Sequence, residues 1–241
     1  MQQPTNVVKA TIASKREVAR GTLEVTFELG DGFSYKPGQY VFIELIDPPY
    51  EDNRRNRRHF SIVNPPGRKG VLVITTRLRD TGFKKSLAEM PPGTEVRLGP
   101  VTGQFVLPDD TSRPIVFIAG GIGITPFFCM INHVHDQGLE HSITLLYANT
   151  KPENSAYLDD LRRLEDEMLN FRLVLTMDHA DDWPGEKRKI DAGFIKDYVE
   201  QLNSSLFMVA GPPGMDQAME KALADAGVDE KNIVTERFTG Y

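Results

Sequence analysis

The stretch AGGIGITPF (119–127) sets Gly120, Gly121 and Gly123 between two apolar runs. Glycine loses the most backbone freedom on ordering, so this density suits neither a strand nor a helix. Two readings are open: a turn whose backbone approaches a phosphate-bearing ligand, or a tight turn that holds nothing. Thr125 suits the cap of the following helix and Pro126 its first turn. The unpaired N–H groups and positive end of that helix would then face outward, where an anion sits well. VAGPPGM (209–215) makes a second loop, stiffened by two prolines between glycines.

Cationic residues gather elsewhere. In NRRNRRHFSIVN (53–64), Arg54 and Arg55 read as a solvated loop, whereas Arg58 adjoins the apolar strand HFSIV. There its guanidinium fork can meet a phosphate while Phe60 and the Ser61 hydroxyl face the same groove. DTGFKKSL (80–87) offers Gly82 and a new helix N-terminus, where N–H groups of Lys84, Lys85 and Ser86 could hold a second pyrophosphate. WPGEKRK (183–189) reads as an exposed turn with no role.

The elements that must position these residues fall into two rhythms. TLEVTFEL (22–29), QYVFIEL (39–45), RHFSIVN (58–64), VLVITTRL (71–78) and TEVRLGP (94–100) are short strands separated by turns, as in a sandwich or barrel. One helix, FKKSLAEM (83–90), interrupts them before Pro91, Pro92 and Gly93. From 113 onward, apolar runs alternate with helical stretches at 126–137, 153–168, 192–201 and 215–226. That alternation predicts a parallel sheet covered on both faces, a doubly wound α/β domain with ligands at the carboxyl ends of its strands. LPDDTSRP (107–114) is the seam, which divides the chain into 1–108 and 109–241.

Composition narrows the chemistry. The chain of 241 residues is 40% hydrophobic and 26% charged, which suits a globular protein with a full core. The single cysteine, Cys129, excludes an internal disulfide, a cysteine zinc site and a four-thiolate cluster. His133 and His135 lie on different faces of a predicted helix, so no metal site is expected. A net charge of −6 argues against nucleic acid as partner. With no membrane-length apolar run and no signal peptide, a cytoplasmic location is expected.

Taken together, these stretches resemble the ferredoxin–NADP reductase superfamily across nearly the whole chain. YKPGQYV (35–41) matches its usual strand entry and RHFS its Arg-x-(Tyr/Phe)-(Ser/Thr) motif, and GFKKSL resembles its Gly-x-x-Ser turn at the flavin phosphates, with three residues instead of two between Gly82 and Ser86. GPVTGQF (99–105) matches the strand end between its domains, GGIGITP and AGPPGM its nicotinamide-side loops, and ERF its acid-x-aromatic signature. The resemblance implies an N-terminal antiparallel β-barrel that binds FAD rather than FMN, followed by a doubly wound parallel α/β domain that binds NAD(P)H. It implies that Arg58, His59, Phe60 and Ser61 hold the flavin, with Phe60 against the ring and Ser61 near its N5. Gly82, Phe83, Lys84, Lys85 and Ser86 would close over the pyrophosphate. Gly121, Gly123, Thr125 and Pro126 would line the nicotinamide path, opposite Gly211, Pro212 and Met215. Glu236 would sit at the flavin edge, catalytic together with Ser61, and Phe238 would stack on the ring. Ala210 stands where the family often has cysteine, and Tyr241 follows the usual aromatic end.

The activity so implied is passage of hydride from NAD(P)H to FAD and of electrons to an external acceptor. Ferredoxin, flavodoxin and an oxygenase component are candidate partners of a monomeric chain; a free flavin or ferric chelate is the small-molecule alternative. A non-catalytic flavin-binding docking subunit is the competing class. YANTKP (147–152) carries neither the acid that favours NAD nor the arginine that favours NADP, and Lys151 tilts toward NADPH.

Overall fold

The computed structural model describes residues 7–30, 32–51 and 56–237. Its first half is one antiparallel sheet of six strands: β1 (Val8–Ala19), β2 (Thr22–Leu29), β3 (Tyr40–Leu45), β4 (Arg57–Ser61), β5 (Val71–Arg77) and β6 (Glu95–Thr102), in the order β4-β3-β6-β1-β2-β5. The sheet curls until its edges meet. Ile62 bridges Ile74, and the Val63 N–H donates to the Val73 carbonyl at 2.9 Å. Inside lie Ile12, Val25, Phe27, Val41, Ile43, Leu72 and Ile74, all essentially without exposure. Each such side chain contributes roughly 1.5–3 kcal/mol by leaving water. Helix α1 (Gly82–Glu89) plugs this core with Phe83 and Leu87.

Strand β1 is absent from the sequence expectation. Its run VKATIASKREVA is studded with charge, and its inward side chains include only Ala10 and Ile12 as fully buried apolar residues. Pairing with β2 and β6 makes it a strand, with register shifts at Ile12/Ser14 and Glu17/Ala19. Such irregularities blur the two-residue alternation by which strands are read.

The second half is a parallel sheet in the order β11-β10-β7-β8-β9, built from β7 (Ile115–Gly120), β8 (Ile143–Asn149), β9 (Phe171–Met177), β10 (Leu206–Gly211) and β11 (Ile233–Arg237). One face is covered by α2 (Ile124–Gln137) and α3 (Leu158–Glu167), through Phe127, Met130, Leu161 and Leu164. The other is covered by α4 (Ala192–Tyr198) and α5 (Met215–Ala226), through Phe194, Ile195, Met219 and Leu223. Strand β7 lies between β8 and β10, so the chain reverses direction across the sheet there and opens a crevice at the strand ends.

The two halves share a core. Phe105 and Leu107 pack into the same cluster as Phe117 and Phe127, with the Phe117 and Phe127 rings stacked at 4.5 Å. The helix expected over 153–168 begins only at Leu158, because Tyr157 takes a left-handed backbone with φ of 62°. Among the described residues, no helix is long and apolar enough to cross a membrane, and no cluster of His, Cys, Asp and Glu could hold a metal ion.

Candidate functional site

Two concavities open where the curled sheet meets the parallel sheet. The first is a groove lined by Arg58, His59, Phe60 and Ser61 of β4, Thr75, Thr76 and Arg77 of β5, Lys84 of α1, and Ile122 and Thr125 beside β7. The second is a cleft of about 500 Å³ along the carboxyl ends of β7, β8, β9 and β10. Gly120, Gly121, Pro212 and Met215 form one side, and Asn149, Thr150, Asp178, Arg188 and Lys189 the other. Arg77 and Ile122 line both, so the two concavities share a wall.

The groove is built for an anion. Its lining holds Arg58, Arg77 and Lys84 and no carboxylate. Lys84 is 8% exposed, and burial, followed by the charges of Arg79 and Arg58, pulls its ammonium down to about 8. Burial, and then Arg58, also lowers His59. Gathering cations out of water is costly unless a negative charge answers them, so this donor set fits the diphosphate of a dinucleotide. The aromatic side is present too: Phe60 lies 5.7 Å from Phe83, ring to ring, and the Arg58 guanidinium sits 5.4 Å from the Phe83 centroid.

The end of α1 differs from the sequence expectation. Thr81 caps it, with the Lys84 N–H donating to Thr81 Oγ1 at 3.3 Å and the Lys85 N–H to the Thr81 carbonyl at 3.0 Å. Ser86 lies inside the helix, fully buried, and its hydroxyl exchanges hydrogen bonds with the Tyr50 backbone. The N–H groups of Lys84, Lys85 and Ser86 are therefore spent within the helix, and the leading ones belong to Gly82 and Phe83. Phe83 itself is core, 1% exposed. The Lys85 ammonium turns to solvent and pairs with Asp80 at 2.6 Å.

Each glycine of the 119–127 turn has its own reason. Gly120 makes room for Met215, whose sulfur would lie 2.3 Å from an added Cβ, and Gly211 does the same at 2.2 Å. Gly121 has φ of 51°, and the Arg77 guanidinium approaches where its side chain would be. Gly123 takes an ordinary helical backbone, but an added Cβ would meet the Ala210 carbonyl oxygen at 2.2 Å. The glycines thus press the turn against the end of β10 and against Met215, while Gly121 stays on the cleft wall.

The expected cap by Thr125 is corrected. Residues Gly121–Gly123 form a 3₁₀ turn that runs straight into α2, so the extended residue needed for capping falls earlier, at Gly120. Thr125 instead donates its hydroxyl back to the Ile122 carbonyl at 3.1 Å. Pro126 occupies the first turn and is buried rather than on the cleft wall. Glu236 of β11 pairs in register with Ala210 but lines neither concavity; burial raises its carboxyl. Phe238, Tyr241, Arg54 and Arg55 lie outside the described residues.

Several lining residues escape the sequence reading. Arg77 and Arg79 alternate at the end of β5 and both reach the cleft, a two-residue spacing that strand periodicity alone could have flagged. Arg188 and Lys189 come from the stretch read as an exposed turn. Thr176 of β9 pairs with Glu186, and its hydroxyl donates to the Arg188 carbonyl, so the segment lies along the sheet edge. Lys151, the expected discriminator, is not on the lining.

The protein family described as the oxidoreductase NAD-binding domain matches residues 117–221. The electron transfer component of toluate 1,2-dioxygenase from Pseudomonas putida is 27% identical over 95% of this chain and 67% of that protein. The flavohemoprotein of Bordetella pertussis is 29% identical over 85% of this chain, which spans only 53% of that protein's length. In three dimensions, the ferredoxin NADP+ reductase of Neisseria gonorrhoeae, solved with bound FAD and NADP, superposes with a TM-score of 0.79 at 20% identity, over 95% of this chain and 98% of that one. Residues 117–221 thus match the oxidoreductase NAD-binding domain, within a chain whose fold is similar to that of the ferredoxin NADP+ reductase of Neisseria gonorrhoeae.

Proposed function

We propose that this chain is an FAD-dependent NAD(P)H oxidoreductase that delivers electrons to an acceptor outside itself. Residues 1–108 hold the flavin and residues 109–241 the coenzyme. The observation that carries the reading is the shared wall: Arg77 and Ile122 border both the cation-lined groove and the cleft at the strand ends. A dinucleotide in each would bring its reacting ring to that wall.

Bound FAD would accept hydride and hand on electrons singly or in pairs. This chain's task is then placement and exclusion of water. Arg58 and Lys84 answer the flavin diphosphate, Phe60 offers an aromatic face, and Ser61 supplies a hydroxyl on the groove wall. Gly121, Pro212 and Met215 would border the coenzyme on one side of the cleft, and Asp178, Arg188 and Lys189, which line the other side, would supply it with polar and charged partners. Phe238 belongs to the same proposal as the ring-stacking residue, and Glu236, raised by burial, as a carboxyl near the flavin edge. A ferredoxin, a flavodoxin or an oxygenase component is the acceptor proposed, for a monomer working in the cytoplasm.

An anaerobic titration of the flavin-loaded protein with NADH and with NADPH, read by flavin absorbance, tests this. Bleaching by either coenzyme is expected, and the ratio of the two gives the preference. A yellow protein that neither coenzyme bleaches would favour the docking-subunit reading instead.

A further inference from the structure

Behind the groove, a chain of buried polar contacts crosses from one sheet to the other. Thr75, a groove-lining residue on β5, donates its hydroxyl to Tyr157 at the start of α3. The Tyr157 hydroxyl donates to Glu24 Oε2 on β2 at 2.7 Å, and Arg16 on β1 donates to the same carboxylate oxygen at 3.2 Å. Thr75, Tyr157 and Glu24 are 4%, 3% and 8% exposed. A buried carboxylate is tolerated here because a guanidinium and a phenol both answer it.

On the α/β side the path continues. Next to Tyr157, the Ala156 carbonyl accepts from the Tyr147 hydroxyl at 3.3 Å, and that hydroxyl also reaches the Gly121 carbonyl at 3.2 Å. The groove wall at Thr75 and the coenzyme turn at Gly121 are therefore joined through Tyr157 and Tyr147. Neighbouring contacts tie the same segment to the curled sheet. The Arg20 N–H donates to the Glu153 carbonyl at 2.7 Å, and Arg77 donates to the Asn154 carbonyl at 3.3 Å. Tyr157 reaches its place with a left-handed backbone that a non-glycine residue rarely adopts, and its ring stacks on Phe128 at 4.0 Å.

We propose that Tyr157 is a positioning residue, held by Glu24 and Arg16, that sets the coenzyme turn at its working distance from the flavin groove. This rests on the oxidoreductase reading above. Hydride transfer demands close approach, and a misplacement of about 1 Å at such a site costs roughly a hundredfold in rate. The latch acts on the geometry between the halves and leaves each binding site's own contacts in place.

The test uses the full chain. Y157F removes the hydroxyl and keeps the ring on Phe128. The flavin-loaded variant is expected to retain its flavin and its coenzyme affinity. Its limiting rate of flavin reduction at saturating coenzyme should fall roughly 10- to 100-fold. The long-wavelength charge-transfer absorbance formed on mixing with coenzyme should shrink in parallel. In the flavin-free chain, amide hydrogen exchange should quicken at 74–77 and 153–158. Wild-type limiting rate and charge-transfer absorbance in Y157F would overturn the proposal, even with a lowered melting temperature, because a merely structural residue moves only the latter. If Y157F fails to hold flavin, E24Q is read the same way, and wild-type rates there refute the latch. Failure of the oxidoreductase reading looks different: the wild-type protein itself is not bleached, and unchanged exchange in the flavin-free variant then refutes the latch independently.

Discussion

Replacing Gly123 with alanine puts a methyl group where backbone already stands. The added Cβ would lie 2.2 Å from the Ala210 carbonyl oxygen, 2.5 Å from its carbon and 2.8 Å from the Gly211 Cα. None of these atoms belongs to a flexible side chain. Ala210 is held between β7 and β11 by register, opposite Ala119 and Glu236, so strand β10 cannot simply swing away. The backbone φ of −61° at Gly123 suits alanine, so any cost comes from contact and not from torsion. Relieving the overlap needs a shift of about 1 Å in close-packed surroundings, and overpacking of that kind costs roughly 1–3 kcal/mol. For a chain of this size that lowers the melting temperature by roughly 2–12 °C. The displaced loop carries Pro212 and Met215, which border the coenzyme cleft. Coenzyme affinity should therefore weaken, while flavin content stays near wild type because the groove's cations lie on β4, β5 and α1. Thermal melting with and without coenzyme, beside a flavin count per chain, reads all three. A G123A protein that melts and binds coenzyme like wild type would show that the turn does not depend on this backbone contact.

Two further outcomes follow from the groove. R58A should lower FAD occupancy through loss of a charge-assisted hydrogen bond worth roughly 1.5–3 kcal/mol; equal FAD affinity in wild type and variant, measured by fluorescence quenching, would remove Arg58 from the site. Lys84 titrates at about 8 in the flavin-free chain, and a bound diphosphate raises that value, so binding takes up a proton. FAD affinity should accordingly fall as pH rises above about 8, by at most tenfold per unit, and K84R should flatten the profile; an affinity unchanged between pH 7 and 9.5 in wild type would contradict it.

The order of the elements was legible along the chain because periodicity is local. Continuous apolar runs such as IVFIAG announce a strand buried on both faces, and the structure has every residue of β7 buried. The break between short polar-bounded strands and alternating strands and helices likewise separates the antiparallel from the parallel sheet. Where the local signal was weak, the reading failed: β1 buries too little apolar surface to declare itself, and α3 starts late because Tyr157 answers to Glu24 and Thr75, far away in sequence.

The motifs by themselves determined which residue types could hold an anion, but only the tertiary structure decided which of them do the facing. Ser86 and Lys85 belong to one motif with Lys84, yet one is consumed by the Tyr50 backbone and one turns to Asp80. Gly123 and Gly121 share a turn, yet one answers to Ala210 and the other to Arg77. Arg188 and Lys189, unremarkable in a run of charge, reach the cleft because Glu186 pairs beside β9. Side-chain direction and close approach depend on contacts between segments far apart in the chain. Those contacts exist only once both sheets have formed and packed through the shared core of Phe105, Phe117 and Phe127.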